Sequence, residues 1–78
     1  MPVDVVHIVN VYHAPTRKDG VTRYQVVSAN RIYSTANDLK ASLCEQASRQ
    51  YFPVRIGWMD TRYGPEIITL ERVEEQSV

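Results

Sequence analysis

Two histidines, one cysteine and a set of arginines interleaved with aromatics are the side chains of this 78-residue chain that could do chemistry. His7 and His13 lie on one extended run, "VDVVHIVNVYH" (3–13). Six residues of strand separate them by roughly 20 Å. That is too far to share a metal ion, and no H-x-x-x-H arrangement is present. Cys44 falls beside an apolar helical stripe, the setting of a buried, inert thiol. A Cys–His nucleophilic pair needs the two side chains in contact and a polarising site around them, and nothing in the spacing provides that. Among the carboxylates, Asp38 starts a helix, Glu45 lies on a helix surface and Asp60 ends a strand. Gly20, Gly57 and Gly64 are too scattered to cradle a phosphate. A chain this short also has little room for a deep substrate pocket. We therefore expect no catalytic residue, no metal and no cofactor, and a protein that is not an enzyme.

Recognition is the chemistry these residue types suit. Seven of the nine basic residues are Arg, with five Tyr and Trp58 among them. Arg forks onto phosphate and carboxylate, and aromatics stack on bases. Arg, Tyr, Trp and Met are also the types enriched at protein interfaces. The stretch "RIGWMDTRYG" (55–64) gathers four of them. The expected contact set is Arg17, Lys18, Arg23, Arg55, Met59, Arg62 and Tyr63. Charge is unevenly spread: residues 14–65 carry eight Lys/Arg against four Asp/Glu, and residues 66–78 carry four Glu against Arg72. The net charge of zero is still far from the basic footprint of an autonomous nucleic-acid binder. A protein partner is the first expectation, and a nucleic-acid partner the alternative.

The elements that must position these residues read as β-β-α-β-β. Residues 3–13 are rich in β-branched types and apolar on both faces, as in a central strand or one that meets a second copy of the chain. A homodimer through strand 3–13 is thus one expectation. "APTRKDG" (14–20) has turn chemistry in Pro15 and Asp19-Gly20, so a hairpin leads into a second strand over 21–33. There Arg23, Gln25 and Val27 face opposite to Tyr24 and Val26. "STANDLKASLCEQASRQYF" (34–52) is the one helix, capped by Ser34 or Thr35. Asp38 suits the positive end of its dipole. Ala36, Leu39, Leu43, Ala47 and Tyr51, joined by Cys44, would form its apolar face, and Pro53 would end it. "VRIGWMD" (54–60) alternates, with Val54, Ile56 and Trp58 opposite to Arg55, Gly57 and Met59. Trp58 should face the helix, and Gly57 should leave an open spot for a partner. "EIITLERV" (66–73) is the last strand, with Ile68 and Leu70 on one face and Ile67, Thr69 and Glu71 on the other. The fold class is α+β: one four-stranded, mostly antiparallel sheet with a helix packed on one face. Residues 1–78 form a single domain with a frayed acidic tail at 74–78.

One cysteine provides no disulfide framework, so stability must come from the core, the turns or a partner. No secretory leader pattern and no membrane-length apolar run occur in the sequence. The expected setting is the cytoplasm, with no membrane partner.

A β-β-α-β-β chain under 80 residues, with "ANDLKASLCEQASRQYF" running into "VRIGW", resembles small phage-encoded inhibitors. It is similar above all to the anti-CRISPR proteins that block type I surveillance complexes, over roughly residues 3–73. The resemblance implies a non-enzymatic protein that docks on a subunit of a host nucleoprotein complex, such as a CRISPR effector, and obstructs nucleic-acid or nuclease access. Under that resemblance either Glu71, Glu74 and Glu75 would oppose basic subunit surfaces, or the Arg-rich sheet face would contact protein and DNA together. The alternative is a small nucleic-acid-binding regulator using the Arg and aromatic residues of the open sheet face.

Overall fold

The computed structural model describes residues 1–14, 18 and 20–73. Its elements are β1 (Val3–Val6), β2 (Ile8–His13), β3 (Tyr24–Ser28), β4 (Ile32–Thr35), α1 (Asp38–Gln50), β5 (Val54–Thr61) and β6 (Gly64–Arg72). The class is α+β, with one helix and a mixed six-stranded sheet, rather than four mostly antiparallel strands. The two extra strands come from breaks inside expected ones. Residues 3–13 divide at His7, and residues 21–33 fold back at Ala29-Asn30, where the Ser28 N–H donates to the Arg31 carbonyl at 3.1 Å.

Strand order explains the first break. The sheet runs β1-β5-β6-β4-β3-β2, so β1 and β2 stand at opposite ends although one residue joins them. A sheet whose two end strands are continuous in the chain must curl until its ends meet. Residues 3–13 are therefore one long, kinked strand that pairs with β5 through its first half and with β3 through its second. The result is a small barrel of five strand equivalents. All strand pairs are antiparallel except β4 with β6, which are parallel and meet at Ser34↔Glu66. Closure gives a short chain an enclosed core of Val6, Ile8, Val26, Tyr33, Val54, Ile56, Trp58 and Ile67, joined by Cys44, Ala47 and Phe52.

Two bulges set which side chains face that core. Ile8 pairs with Ser28 but Asn10 pairs with Val27, so Val9 is the extra residue and points out. Inward positions therefore run Val6, Ile8, Val11 instead of keeping strict alternation. Gly57 pairs with Thr69 but Trp58 pairs with Ile67, which leaves Ile68 as the extra residue of β6. Simple alternation placed Ile68 and Leu70 together. The bulge sends Ile67 and Leu70 to the core and leaves Ile68 at the surface.

The helix is shorter than expected and rotated. Asn37, not Ser34 or Thr35, is its N-cap: the Asn37 Oδ1 accepts from the Lys40 N–H at 3.0 Å. Ser34 and Thr35 belong to β4. Tyr51 ends the helix in the left-handed region (φ 56°), ahead of Pro53, and the Phe52 N–H donates back to the Ala47 carbonyl. The buried face is Ala41, Cys44 and Ala47, with Leu43 at its margin, while Leu39 is 82% and Tyr51 72% exposed and Ala36 is exposed. The reason is close approach. α1 packs chiefly on β2, near enough for the Ser48 hydroxyl to donate to the Val9 carbonyl at 2.9 Å. Only small side chains fit in such a gap.

Candidate interaction surface

The expected contact residues fall into three groups. Arg23, Met59, Arg62 and Tyr63 come together where the β5–β6 turn meets the entry to β3. The Arg23 guanidinium donates to the Ser34 hydroxyl at 3.0 Å and to the Glu66 carboxylate, and its Cζ lies 4.0 Å from the centre of the Tyr63 ring. The Arg62 Cζ lies 5.1 Å from the same ring. Met59 stands opposite Glu66 on the outer surface, half exposed. Arg55 lies farther along the sheet, outside this cluster, and pairs with Glu71 across β5 and β6. Lys18 is exposed on the loop between β2 and β3. Arg17 lies outside the described residues, as do the acidic tail 74–78 and its Glu74 and Glu75.

Register defines the surface beyond these residues. Tyr12 pairs with Gln25, Gln25 with Ser34, Ser34 with Glu66, and Glu66 with Met59. All five therefore lie in one row on the outer side of the sheet, in which Ser34 is buried and accepts from the Arg23 guanidinium. A second row runs Asn10, Val27, Ile32. Tyr12, Ile32 and Met59 are each about half exposed, and Val27 is partly so. Asn10 and Gln25 are exposed among them, so the surface mixes large apolar with uncharged polar side chains. Its charged members are matched to each other: Arg23 to Glu66, and beyond it Arg55 to Glu71.

Gly57 is not an open spot. It is buried, and the Met1 side chain lies over it; a Cβ there would run into Thr69 Oγ1 and the Met1 methyl. Trp58 is core, as its alternation with Val54 and Ile56 implies. Its neighbour is the barrel interior, however: its ring meets Tyr33 edge-on at 6.5 Å. Burial of that ring stabilises the fold by about 3 kcal/mol.

Sequence reasoning missed a polar knot at this end of the barrel. Asp4 Oδ2 accepts from the Tyr33 hydroxyl at 2.6 Å and from the Trp58 Nε1–H at 2.9 Å. Arg31 Nε stands 3.1 Å from the same oxygen, angled as an ion pair rather than a hydrogen bond, and its Cζ lies 4.2 Å from the Trp58 ring centre. Burial, and next the Asp4 hydrogen bond, push the Tyr33 phenol up to about 12. The signal was present. Asp4 shares the inward phase of Val6 and Ile8, and a carboxylate there needs donors.

The histidines sit apart. His7, at the kink, stacks on Tyr51 with ring centres 4.4 Å apart. His13 approaches Glu45 at 3.8 Å and meets the Tyr24 ring edge-on. Cys44 is buried away from both surfaces, and burial raises its thiol to about 12. Among the described residues no three His, Cys, Asp or Glu side chains converge. No helix of the described residues is long and apolar enough to cross a membrane. No protein family, curated protein or solved structure was found to match the chain.

Proposed function

We propose that this chain is a small non-enzymatic binding domain. It recognises a protein partner through the outer surface of β2, β3 and β4, continued across β6 to Met59. One observation carries the reading: on that surface three large apolar side chains, Tyr12, Ile32 and Met59, stand about half exposed beside the polar Asn10 and Gln25, while Arg23 and Arg55 are held by carboxylates of the same chain. Apolar and aromatic side chains that a partner can desolvate supply most interface energy. Matched charges at the rim supply orientation. Arg62, Tyr63 and Lys18 border this surface and complete the contact. The finer form is a cytoplasmic inhibitor that docks on a subunit of a host nucleoprotein complex and blocks access sterically. Its support is the small size and the resemblance of the sequence, since the β-β-α-β-β order expected with it is replaced by four strands ahead of the helix and two after it.

A second reading, single-stranded nucleic acid, is favoured by connectivity. Counting the kinked run as one strand, the helix joins the third and fourth strands, and the third and fifth are parallel. That corresponds to the connectivity of oligonucleotide- and oligosaccharide-binding barrels. Such barrels use the face of their second and third strands, here β3 and β4, with the flanking loops. Lys18 and Arg62 stand on those loops.

Anisotropy titration of labelled single-stranded DNA and RNA probes of about 15 nucleotides separates the two. At roughly 50 mM salt the protein-binding reading expects no saturable signal. Saturable binding that weakens steeply with salt and is lost in Arg62→Ala would overturn it in favour of the second reading.

A further inference from the structure

β1 leaves one side of its backbone unused. The Trp58 N–H donates to the Pro2 carbonyl at 3.0 Å, in line with the pairs Val3↔Gly57, Asp4↔Ile56, Val5↔Arg55 and Val6↔Val54. In an antiparallel ladder hydrogen-bonded pairs alternate with non-bonded ones. Asp4 and Val6 are therefore the residues bonded to β5, and the N–H and C=O groups of Val3 and Val5 point away from it. On that side β1 has no neighbour in the sheet among the described residues, because pairing with β3 begins only at Ile8↔Ser28. Both valine side chains are more than half exposed. A groove of about 510 Å³ continues from this edge around the kink, lined by Val5, His7, Val9, Ala29, Asn30 and Tyr51 among others.

We infer that this edge accepts an extended segment of a partner protein as an added antiparallel strand, with the rest of the segment lying in the groove. Outward N–H and C=O groups repeating every second residue are met most fully by another extended backbone. A second copy of this chain fits poorly. The four-residue edge is only ~13 Å long, far short of what the ~800 Å² per partner of a stable dimer needs. A foreign segment escapes that limit. It carries β-branched residues opposite Val3 and Val5 and a basic or hydroxyl residue opposite Asp4, and it gains area in the groove. This site is separate from the outer sheet surface and stands or falls independently of the reading given for it.

The test uses isotope-labelled protein and a capped Thr-Val-Lys-Val-Thr-Lys peptide at ~1 mM, followed by amide shifts and hydrogen exchange. The expected result is a shift of the Val3 and Val5 amides, with their exchange slowed by about tenfold. Val5→Pro removes an N–H that β5 does not use, so the fold is kept while the response is lost. A peptide N-methylated at its pairing residues should also give no response, which covers failure of the proline variant to fold. Unmoved Val3 and Val5 amides, or a response that survives both changes, would overturn the inference. So would protection of these amides in the free protein together with a dimer in sedimentation, which would give the edge to a second copy.

Discussion

Removing the Asp4 carboxylate should be among the most damaging single changes in this chain. Asp4→Ala strips the acceptor from two donors inside the barrel, the Tyr33 hydroxyl and the Trp58 indole N–H. Tyr33 is fully buried and Trp58 nearly so, so water does not readily replace the lost partner. A hydrogen bond to a charged acceptor contributes about 1.5 kcal/mol at the low end of its range. The low end applies because the Asp4 side chain is 23% exposed. Two such bonds come to about 3 kcal/mol, and the half-exposed Arg31 contact adds little. Total stability for a chain of this size is roughly 4–12 kcal/mol, so the loss is a large fraction of the whole. Urea unfolding followed by Trp58 fluorescence should show the midpoint falling by about 2–3 M at a slope of ~1 kcal/mol/M. Asp4→Asn keeps an acceptor and should cost about half as much. In the Asp4→Ala, Tyr33→Phe double variant the orphaned hydroxyl is gone, so the combined cost should be less than the two single costs together. An Asp4→Ala midpoint within about 0.5 M of the parent would refute the reasoning, because the knot would then contribute nothing.

Three further outcomes follow from the same geometry. Tyr33 and Cys44 are both held up to about 12, from ordinary values of 10.0 and 9.0, chiefly by burial. The fold favours their neutral forms, so this stability is intact below about pH 9 and is lost as pH climbs through 12. The urea midpoint should hold from about pH 7 to 9 and then fall, and a flat midpoint to pH 11 would contradict this. Leu39→Asp should change stability by less than about 0.5 kcal/mol, since Leu39 is largely exposed. A loss near 3 kcal/mol, the scale for a core leucine, would restore the helix face expected from sequence. Gly57→Ala should destabilise by about 1–3 kcal/mol through overpacking against Thr69 and Met1, read from thermal unfolding; an unchanged midpoint would mean the cover over Gly57 moves aside freely.

Much of the fold was legible because local chemistry decided it. The helix and the core placement of Val26, Val54, Ile56 and Trp58 follow from spacing and residue type. What was not legible depends on distant parts of the chain. The break at His7 carries no Gly or Pro, and it arises because barrel closure requires one strand to serve both ends of the sheet. The bulges at Val9 and Ile68 shift alternation by one residue, and no local signal marks either. The helix face held at Leu43, Cys44 and Ala47 and went wrong at Leu39 and Tyr51, because periodicity was read by side-chain size. The large residues Leu39 and Tyr51 satisfied the pattern, while close packing on β2 selected Ala41, Cys44 and Ala47. Proximity among the expected contact residues was legible in part. Arg23, Met59, Arg62 and Tyr63 do gather, but Arg23 is occupied by Glu66 and Ser34, a pairing that needs residues 43 positions apart to meet. Tyr12 and Ile32 entered the surface only through cross-strand register.

The role of the outer face is tested most directly by comparative capture from a nuclease-treated cell lysate, with the parent chain and Ile32→Asp as baits. Ile32 is half exposed and outside the core, so the substitution leaves the fold in place, which circular dichroism and Trp58 fluorescence can verify. The expected result is a specific protein partner retained by the parent after nuclease treatment, lost with Ile32→Asp and recovered with Ile32→Val. Capture of the same proteins by both baits, or recovery that vanishes once nucleic acid is digested, would contradict recognition of a protein through this face.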